Sequence, residues 1–194
     1  ISPWFINQGK HLDGIIGPEE IKNGLKNEEG KKIEFERWRQ LTEYFLFGDG
    51  VMAMLIGGEN AEGDEIKILK TAHLKNLAVK DSEIAYLELD GNTFYSYIDR
   101  KLRSLIIEYL KKILDQMKCD AGEVKKWGIH IGSKRIVDEV TQHFNIPFEK
   151  ARESYEILSS YGNMSSASVP FIFHRTLKDN SLRKGDTGGI LDFG

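Results

Sequence analysis

Two loops of the sequence hold side chains able to polarise a carbonyl. His130 sits near the end of Trp127-Gly128-Ile129-His130-Ile131-Gly132, and Asn163 stands in Tyr161-Gly162-Asn163-Met164-Ser165-Ser166-Ala167-Ser168, 33 positions later (163 − 130). The apolar run before His130 reads as a buried strand, and open α/β sheets gather ligands at the carboxyl ends of their strands. Asn163 lies just ahead of a helix start, where free N–H groups and the positive end of the helix dipole favour developing negative charge. The pair suits an anionic intermediate. Each residue alone has a plainer reading: a single histidine usually packs or faces solvent, and an asparagine at a helix start can serve only its own backbone. Read jointly, the two loops single out His130 from His11, His73, His143 and His174.

Other chemistries find less support. No His or Cys pair has metal-ligand spacing, so neither a metal nor another cofactor is expected. Gly48-Asp49-Gly50 lacks the Gly-Lys-Ser/Thr ending of a phosphate-binding loop and reads as a tight turn. The 27 basic and 30 acidic side chains leave a formal charge of −3 without a basic run, which argues against nucleic acid as a partner. The longest apolar stretch, Phe45 to Ile56, is too short and too polar for a membrane span. The single cysteine, Cys119, excludes an internal disulfide and fits a reducing, cytoplasmic setting. Cys119 also follows a helix, where the dipole disfavours a thiolate, so it is not expected to be a nucleophile. Both ends of the chain read as cut from something longer, and no signal peptide is evident at its start.

The elements that must position the two loops follow from periodicity. Residues 1–45 read as a lead-in segment, with a short helix near 18–26 and a helix over 33–47, and residues 46–194 as one domain. Strands are expected over Val51–Ile56, Ile66–Leu74 and Ile84–Leu89. Apolar residues from Tyr95 to Met117 recur three or four apart, which predicts a long helix. A strand over Trp127–Ile131 then feeds a helix through Phe144 that Ser133 caps. Pro147 suits the first turn of the next helix, which runs to about Tyr161. Pro170 is tolerable only within the first four residues of a helix, so the last one cannot begin much before Ser166. Gly188 to Phe193 makes a final strand. The sum is an α/β layer system.

The string Gly162-Asn163-Met164-Ser165-Ser166-Ala167-Ser168-Val169-Pro170 resembles the asparagine loop of 3-oxoacyl-carrier-protein synthase III and of chalcone-synthase-like type III polyketide synthases. In the same order as in that family, Leu46-Phe47-Gly48-Asp49-Gly50 resembles a strand start, Trp127 to Gly132 a histidine loop, and Leu182-Arg183-Lys184-Gly185-Asp186 a final turn. After the histidine, Ile131-Gly132-Ser133 is closer to the plant-type polyketide enzymes, whereas the tail is closer to synthase III. The resemblance implies the C-terminal half of a thiolase-like fold, a mixed five-stranded sheet in a layered αβα arrangement.

It further implies an acyltransferase that forms a carbon–carbon bond by decarboxylative Claisen condensation of acyl and malonyl thioesters, carried on coenzyme A or acyl carrier protein. His130 and Asn163 would stabilise the enolate. Gly132, Ser133, Met164, Ser165, Phe193 and Gly194 would contact substrate, with Phe193-Gly194 opening a glycine-rich oxyanion loop. The nucleophilic cysteine would come from an N-terminal half, and a homo- or heterodimer is expected. A non-catalytic subunit that stabilises a catalytic homologue is the alternative, against which the presence of both His130 and Asn163 argues.

Overall fold

The computed structural model describes residues 47–58, 66–75, 84–90, 93–99 and 101–193. Its elements are β1 (Ala85–Asp90), β2 (Thr93–Ile98), α1 (Leu102–Met117), β3 (Lys126–Ile129), α2 (Lys134–His143), α3 (Phe148–Tyr161), a 3₁₀ turn (Ser165–Ala167), α4 (Ser168–Leu177) and β4 (Gly188–Leu191). The lead-in segment 1–45 and its expected helices lie outside the described residues, as does Gly194. Phe47 takes part in an isolated bridge rather than a helix.

The described strands form two pairs instead of the single five-stranded sheet expected. β1 and β2 are antiparallel, with Asp90 opposite Thr93, and β3 and β4 are parallel. The pair between Asp90 and Thr93 is Gly-Asn, a composition common in two-residue hairpin links. This pairing corrects the helix expected from Tyr95: residues up to Ile98 join β2, and α1 begins at Leu102. The helical spacing of the apolar residues from Ile98 onward was real, but strand pairing across the hairpin outweighs it. The runs 51–56 and 66–74 are likewise not in strands, and Val51, Leu55, Ile56, Ile68 and Leu69 are exposed. Apolar composition marks them for burial, yet a strand also needs neighbouring backbone to pair with, and among the described residues they have none.

The core lies around β3. Its four residues are all buried, and α3 and α4 pack against it. Ile129, Ile131, Val137, Val140 and Ile172 are excluded from solvent, each such side chain stabilising the fold by about 1.5–3 kcal/mol. Gly128 lets α4 come close: a Cβ there would lie 3.2 Å from Ile172 Cγ2. The Ile129 N–H, on the strand edge that β4 leaves free, donates to the buried Ser154 hydroxyl of α3 at 2.9 Å. At the start of β3, Lys126 is buried between Glu153 of α3 and Asp179 just beyond α4, and also donates to the Glu149 carbonyl.

Helix boundaries follow the chemistry of their ends. Ser133 caps α2 through its hydroxyl, which accepts the Ile136 N–H at 3.3 Å. Pro147 stands at the cap of α3, one residue ahead of its first turn. Pro170 is the third residue of α4, where its missing N–H has no intrahelical partner to lose. No helix among the described residues is long and apolar enough to cross a membrane.

Candidate functional site

His130 is the first residue past β3, and its N–H donates to the Leu191 carbonyl of β4 at 2.9 Å. The parallel register sets Ile129 beside Leu191, so the two strands end together and deliver His130 and Asp192 side by side. The imidazole is 9% exposed, and its Nδ1 stands 2.8 Å from Asp192 Oδ1. The contact is close but falls short of hydrogen-bond geometry, and the buried Nδ1 has no hydrogen-bond partner among the described residues. Phe193 packs on the imidazole with ring centroids 4.8 Å apart. The Phe193 N–H donates to Asp192 Oδ1 at 3.0 Å. The Asp192 carboxyl is held below the usual carboxylate range, first by His130 and to a smaller degree by the Phe193 N–H, with burial opposing both.

Gly132 belongs to the same cluster, because a Cβ on it would meet Ile136 Cδ1 at 3.1 Å and the Phe193 ring at 3.4 Å. Ser133, half-buried beside it, is occupied as the cap of α2. Asp192 was missed in the sequence. The signal was available only through the register of β3 and β4, since 62 positions separate it from His130 (192 − 130).

Asn163 lies in the loop between α3 and α4, the two helices packed on β3. Gly162 ends α3 at φ 72° and ψ −165°, a conformation open essentially to glycine alone. Ser165 follows at φ 53°, unusual for a residue with a side chain. This geometry turns the Ser165 N–H back onto Asn163 Oδ1 at 2.9 Å, with the Ser168 hydroxyl at 3.5 Å from the same oxygen. The carboxamide oxygen is therefore committed inside the loop. Among the described residues the NH₂ group has no acceptor, and Asn163 is 5% exposed overall. Ser168, wholly buried, also accepts the Met164 N–H at 2.9 Å.

The segment Gly48-Asp49-Gly50 braces this loop, as irregular chain and not as the tight turn expected. Phe47 bridges Asn163 in parallel, and the Gly48 N–H donates to the Asn163 carbonyl at 2.9 Å. A Cβ on Gly48 would collide with the Tyr161 carbonyl, and one on Gly50 with the Met164 side chain. Met164 is buried against Gly50, whereas Ser165 is exposed. The expected residues thus fall into two groups: Gly132 and Phe193 gather around His130, and Met164 and Ser165 flank Asn163. His73, His143 and His174 are exposed. Among the described residues no three His, Cys, Asp or Glu side chains could hold a metal ion.

Residues 83–194, more than half of the chain, match the family model for chalcone and stilbene synthases, C-terminal domain. The chain belongs to this family. Both loops and their supporting helices fall within the matched domain. The beta-ketoacyl-[acyl-carrier-protein] synthase III of Oenococcus oeni is 24% identical over 200 residues, 96% of this chain and 56% of the relative. The 3,5-dihydroxyphenylacetyl-CoA synthase of Amycolatopsis orientalis is also 24% identical, over 77% of this chain and 41% of the relative. Among solved structures, the 1,3,6,8-tetrahydroxynaphthalene synthase of Streptomyces coelicolor A3(2), a bacterial type III polyketide synthase, superposes with a TM-score of 0.51. It is 22% identical, and the match covers 58% of this chain and 33% of that one. The fold is the C-terminal half of the thiolase-like α/β class. The chain spans about half the length of the curated relatives it matches.

Proposed function

We propose that this chain is the extender-activating half of an acyltransferase that forms a carbon–carbon bond by decarboxylative Claisen condensation. The observation that carries the reading is the orientation of Asn163. With its carbonyl oxygen taken by the Ser165 N–H, only its NH₂ group is left to meet a ligand, and that group is a donor. A thioester of a malonyl-type acid would lose carbon dioxide by breaking the bond to its carboxylate carbon. The electron pair of that bond moves onto the thioester carbonyl oxygen as an enolate. Donors from Asn163 and His130 at that oxygen would lower the barrier, each by about 2.7–4 kcal/mol in a water-poor site. The enolate carbon then attacks an acyl group held as a thioester on a cysteine, and the cysteine leaves as thiolate.

The acyl-bearing cysteine belongs, on this reading, to an N-terminal half of the enzyme, with coenzyme A or acyl carrier protein delivering the thioesters and a dimer as the working form. Membership in a family of condensing enzymes supports the reaction class. The burial of His130 and Asn163 supports their use in a site that excludes water. The test follows carbon dioxide release from a malonyl thioester by the protein together with its cysteine-bearing half. His130→Ala and Asn163→Ala should each slow release by ~10²–10³-fold. If neither does, the enolate roles are wrong.

A further inference from the structure

The Asp192 carboxylate stands close enough to bear on which nitrogen of His130 carries the proton, although Nδ1 makes no aligned hydrogen bond with it. An ionised carboxylate has only lone pairs to offer, and at 2.8 Å from Nδ1 it repels a lone pair on that nitrogen and attracts a proton there. The placement is built into the fold on several sides. Parallel pairing of β3 with β4 brings the two residues together, the Phe193 N–H holds the carboxylate, and the Phe193 ring covers the imidazole. A neutral imidazole has one N–H. With that proton at Nδ1, the outer nitrogen Nε2 is a bare lone pair, which would repel an enolate oxygen. Nε2 becomes a donor only when the ring is an imidazolium.

We propose that Asp192 is a positioning residue that holds the His130 proton on Nδ1, so that His130 can stabilise an enolate through Nε2 only in its imidazolium form. The consequence for activity rests on the enolate role of His130 given above, but the tautomer itself does not. Among the described residues, Asp192 is the carboxylate within ion-pairing range of His130. The charged groups of the neighbouring elements are engaged elsewhere: Lys134 and Arg135 of α2 with Asp138 and Glu139, Glu153 of α3 with Lys126, and Arg175 of α4 with Glu156. Asp192 is itself 55% exposed in its side chain, so replacing it should leave the fold intact.

Asp192→Asn separates the alternatives, because a carboxamide can turn its NH₂ toward Nδ1 and so leave the neutral ring with its proton on Nε2. The first measurement is the ¹⁵N chemical shifts of the His130 ring in the full-length protein at a pH of about 8.5, roughly two units above the ordinary imidazole value. The wild type should show a protonated Nδ1 and a bare Nε2, and Asp192→Asn the reverse. A bare Nδ1 in the wild type, or the same tautomer in both proteins, overturns the proposal. The second measurement is decarboxylation against pH. In the wild type it should fall about tenfold per pH unit once the ring is neutral, whereas Asp192→Asn should hold its rate into that range. Parallel profiles would overturn the catalytic consequence. His130→Ala distinguishes the two layers: if the tautomer reverses as expected but His130→Ala decarboxylates normally, the enolate role fails and the Asp192 assignment stands.

Discussion

Asn163 makes its case through a single hydrogen bond, because the Ser165 N–H distinguishes the oxygen of the carboxamide from its nitrogen. An aspartate has the same shape and can still accept that N–H, yet it places a second oxygen where the NH₂ group stood. Asn163→Asp should therefore slow decarboxylation by at least ~10²-fold, since a carboxylate repels the enolate it ought to stabilise, and should lower the melting temperature at neutral pH because it buries a charge with no partner. Thermal denaturation and carbon dioxide release, measured on the same preparation, check both halves of the expectation. At this scale the loops that carry His130 and Asn163 were legible in the sequence, because glycine and serine mark them and a helix start follows each. Asp192 was not. Its partner lies 62 positions away, and only the pairing of two four-residue strands makes them neighbours.

The loop that holds Asn163 depends on a segment with no chemistry of its own, the irregular chain through Gly48 and Gly50. Both positions lack room for a Cβ, but they fail against different neighbours. Gly48 faces the Tyr161 carbonyl, fixed backbone at the end of α3, whereas Gly50 faces the Met164 side chain, nearest at Sδ, which can change rotamer. Gly48→Ala should consequently cost more than Gly50→Ala, about 1–3 kcal/mol of stability by overpacking. It should also weaken decarboxylation, because the Phe47–Asn163 bridge must shift. Urea denaturation of the two variants side by side tests the order. The cap at Ser133 gives a smaller, purely local expectation: Ser133→Ala should lose at most about 1 kcal/mol, because the Ile136 N–H loses the hydroxyl but keeps the Ser133 carbonyl at 3.1 Å.

The helices from α2 to α4 were legible, since capping residues and prolines act locally and define their own boundaries. The start of α1 was misread because its first apparent turn is drawn into β2 by pairing with β1. The runs at 51–56 and 66–74 show the converse, apolar patterns that name a strand without supplying its partner.

For the molecule as a whole, Lys126 joins α3, β3 and the end of α4 through Glu153 and Asp179. The Asp179 carboxyl is held well below the usual range, chiefly by its hydrogen bond from Lys126 and next by the Ser181 N–H, with burial opposing. A carboxyl lowered on folding stabilises the native state above its unfolded value of about 3.9, and the contribution is lost as acid approaches the folded value. Denaturant midpoints should thus be insensitive to this group near neutrality and fall below about pH 4. Lys126→Met removes the buried cation that Glu153 and Asp179 share and leaves them only the half-exposed Arg152 guanidinium, so it should cost stability, up to about 3–5 kcal/mol, in urea denaturation.

The same scale governs how catalysis would be divided. Cys119 is the sole cysteine of the sequence, and its N–H caps the C-terminal end of α1 by donating to the Leu114 carbonyl. The negative end of a helix dipole disfavours a thiolate, the form that attacks a thioester. Incubated alone with an acyl-coenzyme A, this chain should show no added acyl mass by intact-protein mass spectrometry. Cys119→Ser should leave condensation unchanged when the cysteine-bearing half is supplied. An acyl group found on Cys119 would place the nucleophile within this chain and remove the division of labour, because extender activation and acyl transfer would then share one polypeptide.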